Sequence, residues 1–176
     1  MPVGVSAYVP LATKTLTATA TSVTFSSITQ TYRDLVLVMQ IGQSTNNVVT
    51  NLSVNSDSAI TTNTVNMLGT GVASRSGTTM VTTIMNISGN SSDAIWADTS
   101  LGWLATVNIM DYSATDKHKN VLVRNGQTGT AGVGYGTSAI AGKFSTTTAL
   151  TSIKVAPASG NFIVGSTFTL YGIAST

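Results

Sequence analysis

Very few side chains in this sequence have the chemistry of a catalytic group. The single histidine, His118, lies in the charged run Asp116–Lys119. A serine hydrolase would use His118 as its general base, with Asp111 or Asp116 orienting the imidazole. The G-x-S-x-G motif that presents such a nucleophilic serine does not occur in the sequence. We therefore interpret the charged run as a solvent-exposed loop between strands, and we expect the chain not to be an enzyme.

The acidic residues are all aspartates, and none of them lies in a ligand motif. They are Asp34, Asp57, Asp93, Asp98, Asp111 and Asp116. A glycosidase needs two carboxyl groups at a set separation, and a calcium loop needs Asp or Asn ligands at fixed spacing before a Gly. Neither pattern is present, so the sequence predicts no metal site and no cofactor. Asp34 directly follows Arg33, and we expect these two side chains to form a local ion pair at the start of a strand.

The glycine-rich stretch Gly126–Gly136 invites comparison with a phosphate-binding loop. A P-loop requires G-x-x-x-x-G-K-[ST], whereas here Gly142 and Lys143 are followed by Phe144. We expect a flexible loop or a close approach of two chains at these glycines instead. The eight basic residues are scattered along the chain, so the sequence does not predict nucleic-acid binding.

Aromatic side chains are the remaining candidates for binding chemistry, because exposed rings at the edge of a sandwich stack on sugars. The candidates are Trp96, Trp103, Tyr112 and Tyr135. Trp103 lies in the apolar segment Leu101–Val107, and we expect it in the core. Trp96 and Tyr112 lie in expected loops, which makes them the candidate glycan-binding residues of the alternative function given below.

The composition predicts an all-β fold that would hold such groups in place. The chain of 176 residues has 31 Thr and 21 Ser, about 30% of the total, and no Glu. Threonine favours strands because its branched Cβ suits a pleated surface, whereas the good helix formers Glu, Lys and Arg are scarce. An apolar fraction of 42% suffices for the core of one domain. Cysteine is absent, so no disulfide contributes to stability.

Short β-type runs separated by turn residues predict the individual strands. The predicted ranges are 14–20, 22–25, 35–41, 51–55, 65–73, 80–87, 101–110, 120–124, 133–144, 151–156 and 166–173. Alternation of apolar and polar residues in several of them predicts one buried and one polar face, as in a single antiparallel β-sandwich. The jelly roll is the preferred version and an Ig-like sandwich is the runner-up. A short helix around residues 91–99 stays open as an alternative for that segment.

The run Leu35–Met39 differs from the other strands because it is apolar on both faces. Such a run indicates a central strand, covered by the core on one face. A neighbouring subunit is the candidate cover for the other face.

The first twelve residues have no strand alternation and contain two prolines. We expect an extended N-terminal arm at residues 1–12, followed by the sandwich domain at 13–176. The apolar side chains with which the arm would bind a partner are Val3, Val5, Tyr8, Val9 and Leu11. An arm lying across its own sandwich is the alternative.

Charged residues make up only 8% of the chain, against about 25% in a typical soluble domain. A surface of Ser and Thr loses its water at low cost, because hydroxyls bond to neighbouring backbone. We therefore expect a protein that works in contact with copies of itself or with a large partner; a secreted Thr-rich domain is the alternative. Residues 1–12 lack the features of a secretory signal, and Leu35–Met39 is far shorter than the roughly 18 residues of a membrane helix. We expect a soluble protein that is made in a cytoplasm and has no membrane partner.

Two segments carry a resemblance to a known group of proteins. They are TYRDLVLVMQIG at Thr31–Gly42 and SGNFIVGSTFTLYGI at Ser159–Ile173. They resemble tailed-bacteriophage virion proteins, which pair an early Y-x-D-L-V-L-V strand with a C-terminal G-N-F-x-x-G-S-x-F-x-L-Y-G-I hairpin. The resemblance covers roughly the first 42 and the last 25 residues. It implies a β-sandwich module on the head or tail of a phage particle, and it carries no catalytic motif.

Physical grounds favour the head over the tail. A receptor-binding tail module is usually attached to a long shaft, whereas this sequence predicts one compact domain with an apolar arm. We therefore expect a capsid cement or decoration protein at the surface of the virion, clustered with itself as a trimer, with residues 1–12 bound to the major capsid protein. The alternative is a tail-associated adhesion module that binds host glycans through Trp96 or Tyr112.

Overall fold

The described residues of this chain form strands and connecting loops, without a helix. A computed structural model of the protein describes residues 7–70, 73–90, 93–128 and 136–174. The strands are β1 (Tyr8–Thr15), β2 (Val23–Phe25), β3 (Asp34–Ile41), β4 (Thr50–Val54), β5 (Thr62–Gly69), β6 (Ser74–Thr82), β7 (Met85–Asn86), β8 (Gly89–Asn90), β9 (Asp93–Ala94), β10 (Trp103–Ile109), β11 (Lys119–Gln127), β12 (Gly136–Phe144), β13 (Ile153–Pro157) and β14 (Thr167–Ile173). The predicted all-β class is confirmed. The part of 91–99 that the structure describes holds β9 and a bridge from Ala97 to Val48, not a helix.

Two antiparallel sheets form the layers of the sandwich. The larger sheet has eight strands in the order β1-β14-β3-β10-β11-β12-β5-β6, and the smaller has four in the order β2-β13-β4-β7. The short strands β8 and β9 pair with each other. The predicted antiparallel sandwich is confirmed. With layers of eight and four strands, this order establishes neither the jelly-roll nor the Ig-like version.

The core lies between the two sheets, because alternate residues of each strand point inward. In β3 the inward side chains include Leu35, Leu37 and Met39, each at most 1% exposed. They pack in one cluster with inward residues of the smaller sheet such as Ile153 and Leu52. Burying each of these aliphatic side chains stabilises the fold by about 1.5–3 kcal/mol.

The central position predicted for the run Leu35–Met39 is confirmed. Strand β3 pairs with β14 on one side and with β10 on the other. On the face that points away from the core, Val36 is buried and Val38 is 40% exposed. The run is therefore covered by the core on one face and only partly covered on the other.

The first strand lies earlier in the chain than its pattern predicted. We expected a strand at 14–20 and an arm before it, whereas β1 spans Tyr8–Thr15, pairs with β14 and forms one edge of the eight-stranded sheet. A register shift between Pro10 and Ala12 disrupts the alternation that marks a strand in the sequence. The expected boundary between residues 12 and 13 falls inside β1, so from Tyr8 onward the expected arm belongs to the sandwich.

Candidate functional site

One face of the eight-stranded sheet packs on the four-stranded sheet; the opposite face, called the outer face below, points away from it. Strand pairing aligns the outer-face residues in rows that cross the sheet. The middle row runs through Thr169, Val38, Thr106, Arg124, Ala139 and Met67. Thus the outer face is a continuous surface built from strands that are far apart in sequence.

The outer face exposes large apolar side chains. The exposed fractions are 40% for Val38, 46% for Leu104, 44% for Leu122, 53% for Val65 and 63% for Met67. Val38, Leu104 and Met67 line a shallow, open depression of about 710 Å³. Single exposed apolar residues are normal on a protein surface, but a contiguous group of them on one sheet marks a binding surface.

The floor of this depression is low because β12 and the ends of its neighbours carry small residues. Ala139 follows Arg124 in the middle row, and Thr137 lies between Gly126 and Gly69 in the next row. A Cβ added at Gly69 would meet no atom within 4 Å. The larger side chains therefore stand around a flat centre that a partner's side chains could enter.

The three central rows of the outer face pass through Val36, Val38 and Gln40 of β3, and Arg124 carries the one charge in them. It lies on β11, paired with Thr106 of β10 and Ala139 of β12, and its side chain is exposed. Within the described residues no ion pair involves Arg124. A guanidinium stays charged at any physiological pH, so the centre of the outer face is cationic.

The two segments that carry the phage resemblance contact each other in the fold. Strands β3 and β14 are neighbours, with Leu37 opposite Leu170. The buried Ser166 hydroxyl accepts a hydrogen bond from the Gly42 N–H, with an N···O distance of 3.3 Å. A Cβ at Gly172 would lie 2.5 Å from the Tyr32 ring, so only glycine allows this ring to pack there. The recognisable residues thus have structural roles in one unit.

The arm residues proposed from the sequence divide into two groups. Tyr8, Val9 and Leu11 lie in β1, whereas Val3 and Val5 fall outside the described residues. Tyr8 is 55% exposed, and its ring meets the Tyr171 ring edge to face at 6.2 Å between centroids. Tyr8 therefore extends the outer face at the β1 edge of the sheet.

The aromatic candidates for glycan binding are mostly in the interior. Tyr112 is fully buried, and its hydroxyl donates a hydrogen bond to the backbone oxygen of Thr29. Burial raises the pKa of the Tyr112 phenol. The hypothesis that Tyr112 binds glycans is therefore wrong, because its ring does not reach solvent. Trp103 is buried as predicted, with its indole N–H donating to the Ile95 oxygen at 2.7 Å. Trp96 is half-buried, and Tyr135 falls outside the described residues.

The charged run around His118 is only partly the exposed loop that we expected. Asp116, Lys117 and His118 are exposed, but Lys119 is fully buried. Its ammonium donates to the backbone oxygens of Ala114, Lys117 and Thr147, at N···O distances of 2.5, 2.9 and 3.4 Å. Burial lowers the pKa of Lys119, against the opposite influence of nearby carboxylates. Lys119 thus ties this loop to the chain that follows β12.

Asp34 and Asp98 have hydrogen-bond or ion-pair partners close to them in the chain or in the fold. Asp34 forms the expected ion pair with Arg33, at 2.6 Å, and also accepts the Asp111 N–H at 2.8 Å. Burial alone would raise the pKa of the Asp98 carboxyl, but hydrogen bonds from Ser100 and Gln127 outweigh it and hold that pKa below 3.8. In the described ranges no three acidic, His or Cys side chains cluster as metal ligands.

The same ranges contain no helix that is long and apolar enough to cross a bilayer.

Most of the outer face was not singled out from the sequence. Only the β3 run was recognised as apolar on both faces; Leu104, Leu122 and Met67 were not. Their signal lies in runs such as Val121-Leu122-Val123, where an apolar residue occupies the position that alternation assigns to solvent. Arg124 gave no signal, because its neighbours on the surface are distant in sequence.

Comparisons with family models, curated proteins and solved structures found no match for the chain.

Proposed function

We propose that this chain is a non-enzymatic structural protein of a tailed-bacteriophage particle. In this proposal it is a cement or decoration protein that binds the major capsid protein and stabilises the head. The observation that carries the proposal is the outer face, a broad surface with exposed Val, Leu and Met side chains and a single charge in its three central rows. A chain with 8% charged residues and such a face is suited to permanent contact with other protein.

The size of the outer face agrees with this role. Eight strands at about 4.8 Å spacing and six residues per strand at about 3.4 Å give roughly 34 by 20 Å, or about 700 Å². A stable protein interface buries about 600–1,000 Å² on each partner. One outer face therefore suffices for a specific contact, and symmetry in a shell would repeat it many times.

The two segments that carry the resemblance contact each other and form one structural unit. Strand β3 and the segment Ser159–Ile173, which ends in β14, meet through the Ser166–Gly42 hydrogen bond and the packing of Tyr32 on Gly172. Segments that must fit each other in this way would be retained together in related proteins. This supports a shared β-sandwich module, and the head location remains part of our proposal.

The N-terminal arm is the second proposed contact with the major capsid protein. Deleting residues 1–12 would also remove most of β1 and expose the edge of β14. Deleting residues 1–6 leaves β1 intact and tests the arm by itself. We expect the shorter deletion to lower capsid occupancy without changing the midpoint of thermal unfolding, and unchanged occupancy would exclude a role for Val3 and Val5.

The alternative of a tail adhesion module now depends on Trp96 alone. Its half-buried ring offers limited area for a sugar to stack on. A glycan array with the wild-type chain and with Trp96→Ala tests it; binding that disappears in the variant would favour the adhesion module.

The experiment that decides the proposed function is a reconstruction of the intact particle by electron cryo-microscopy. We expect density for the chain at repeated positions on the icosahedral shell, clustered as trimers. Density confined to the tail would favour the adhesion module, and absence from the particle would overturn the proposal.

A further inference from the structure

We infer that the outer face binds a different protein whose apolar surface presents a carboxylate to Arg124. The inference rests on the proposed function as an assembly subunit and names the chemistry of the partner. The partner side has two required features: apolar side chains that cover Leu104, Leu122 and Met67, and one Asp or Glu placed opposite the middle of the sheet.

The position of Arg124 makes it unavoidable in any contact with this face. It lies on the fifth of eight strands, in the middle row, beside the depression that Met67 and Leu104 line. A partner that covers the exposed apolar side chains therefore also covers the guanidinium. A buried guanidinium without an anionic partner is strongly unfavourable, whereas a carboxylate can accept two parallel hydrogen bonds from it.

The chain has no acidic residue of its own to place there. Asp34 is on the outer face but lies two rows from Arg124. Its carboxylate forms an ion pair with Arg33 and accepts a hydrogen bond from the Asp111 N–H. None of the residues outside the described ranges is Asp or Glu. The carboxylate that neutralises Arg124 must come from another molecule.

The outer face of a second copy of this chain does not satisfy Arg124. If two outer faces met around a two-fold axis near their centres, the two Arg124 side chains would approach each other. The three central rows of each copy contain no carboxylate to separate them. Like charges in a desolvated contact cost several kilocalories per mole in general. Arg124 thus acts against pairing of two outer faces around a two-fold axis.

The first test compares charge reversals on opposite sides of the sandwich. Arg124→Glu changes the outer face, and Lys154→Glu changes the exposed side of β13 by the same net charge. We expect Arg124→Glu to weaken binding to particles that lack the chain by at least about thirtyfold, and Lys154→Glu by less than about twofold. Arg124→Lys keeps the charge but loses the paired hydrogen bonds, so its loss should be intermediate. Equal binding by the two reversals would overturn the inference, provided that both variants match the wild type in thermal unfolding.

The second test identifies the partner by photo-crosslinking in cells that assemble the particle. A photoreactive amino acid replaces Met67, and the control carries it at Asn51 on the opposite sheet. We expect crosslinks from position 67 to one peptide of a different protein, and charge reversal of an Asp or Glu in that peptide should restore binding of Arg124→Glu. Crosslinks from position 67 to another copy of this chain, to nucleic acid or to glycan would overturn the inference.

These tests separate the inference from the proposed function. If the chain is absent from the particle, the phage role fails. The crosslinks from position 67 still decide whether the outer face meets a foreign carboxylate. If the chain is on the capsid but position 67 does not crosslink to a foreign protein, the role stands and the inference fails.

Discussion

The two solvent-facing surfaces of the sandwich differ in what they expose. On the four-stranded sheet the outward residues are polar or small, among them Thr24, Asn51, Ser53, Lys154 and Ala156. On the eight-stranded sheet the outward residues include five large apolar side chains that are each at least 40% exposed. Both sheets bury their inward residues in the same core. The difference therefore does not serve folding, and it is the observation on which the proposed contact of the larger sheet rests.

The largest expected effect comes from placing a charge on each surface in turn. Met67→Lys inserts an ammonium into the outer face, and Asn51→Lys inserts the same group into the face of the four-stranded sheet. Burying an unpaired charge in an interface costs about 3–5 kcal/mol, so Met67→Lys should weaken assembly at least about a hundredfold. Binding of the purified variants to particles that lack the chain measures this. If Asn51→Lys weakens binding more than Met67→Lys, the two surfaces have been assigned the wrong way round.

A second prediction separates folding from contact by one chemical change at two sites. Leu37→Ala, at a fully buried inward position, should lower the free energy of unfolding by about 2–5 kcal/mol. Leu122→Ala, at an outer-face position that is 44% exposed, should lower it by less than about 1 kcal/mol. Urea denaturation measures both values. A similar cost at the two positions would mean that the outer face contributes to the core and is not a spare surface.

A third prediction compares a buried tyrosine with a tyrosine on the outer face. Tyr112→Phe removes a hydroxyl and leaves the Thr29 carbonyl without its donor, which should cost about 1–3 kcal/mol of stability. Tyr171→Phe, beside Tyr8, should cost less than about 0.5 kcal/mol. Thermal unfolding of the two variants gives the comparison. No loss of stability in Tyr112→Phe would contradict the buried position of its hydroxyl.

The smallest expected effect lies in a loop that belongs to neither surface. The pKa of Asp98 lies below its usual value, so its ionised form stabilises the fold above about pH 3.8, and this contribution disappears as the pH falls through the pKa in the folded state. Ser100→Ala removes the hydroxyl that donates to Asp98 at 2.5 Å. We expect a higher pKa for Asp98 and a loss of about 0.5–1 kcal/mol at neutral pH. Carbonyl NMR titration and unfolding at several pH values measure both, and the difference in stability should vanish at low pH.

The inward half of the fold was largely predictable, because alternation along a strand is a local property. The run Leu35–Met39 was recognised as a central strand with the core on one face, and Trp103 was placed in the core from its apolar neighbours. The ion pair of Arg33 with Asp34 joins adjacent residues and was predicted as well.

The candidate site was predictable only in part. The run Leu35–Met39 pointed to an apolar surface on the far side of β3. Arg124 and Met67 lie in one row, on either side of Ala139, only because β11, β12 and β5 pair in one register. No pattern within β11 or β5 indicates which strands pair with them, so the cationic centre of the outer face was not predicted from the sequence.

The sequence by itself determined the all-β class, the inward faces of the strands and the scarcity of charge, because these follow from residue types and from their order over a few positions. Only the tertiary structure decided that β1 begins at Tyr8, that Tyr112 and Lys119 are buried, and that one sheet keeps an open apolar face around Arg124. Each of these depends on a segment distant in the chain: β14 pairs with β1, the Thr29 oxygen accepts from Tyr112, and Thr147 lies beside Lys119. Burial of a residue depends on which distant segments pack against it, and the pattern of one strand contains no information on those segments.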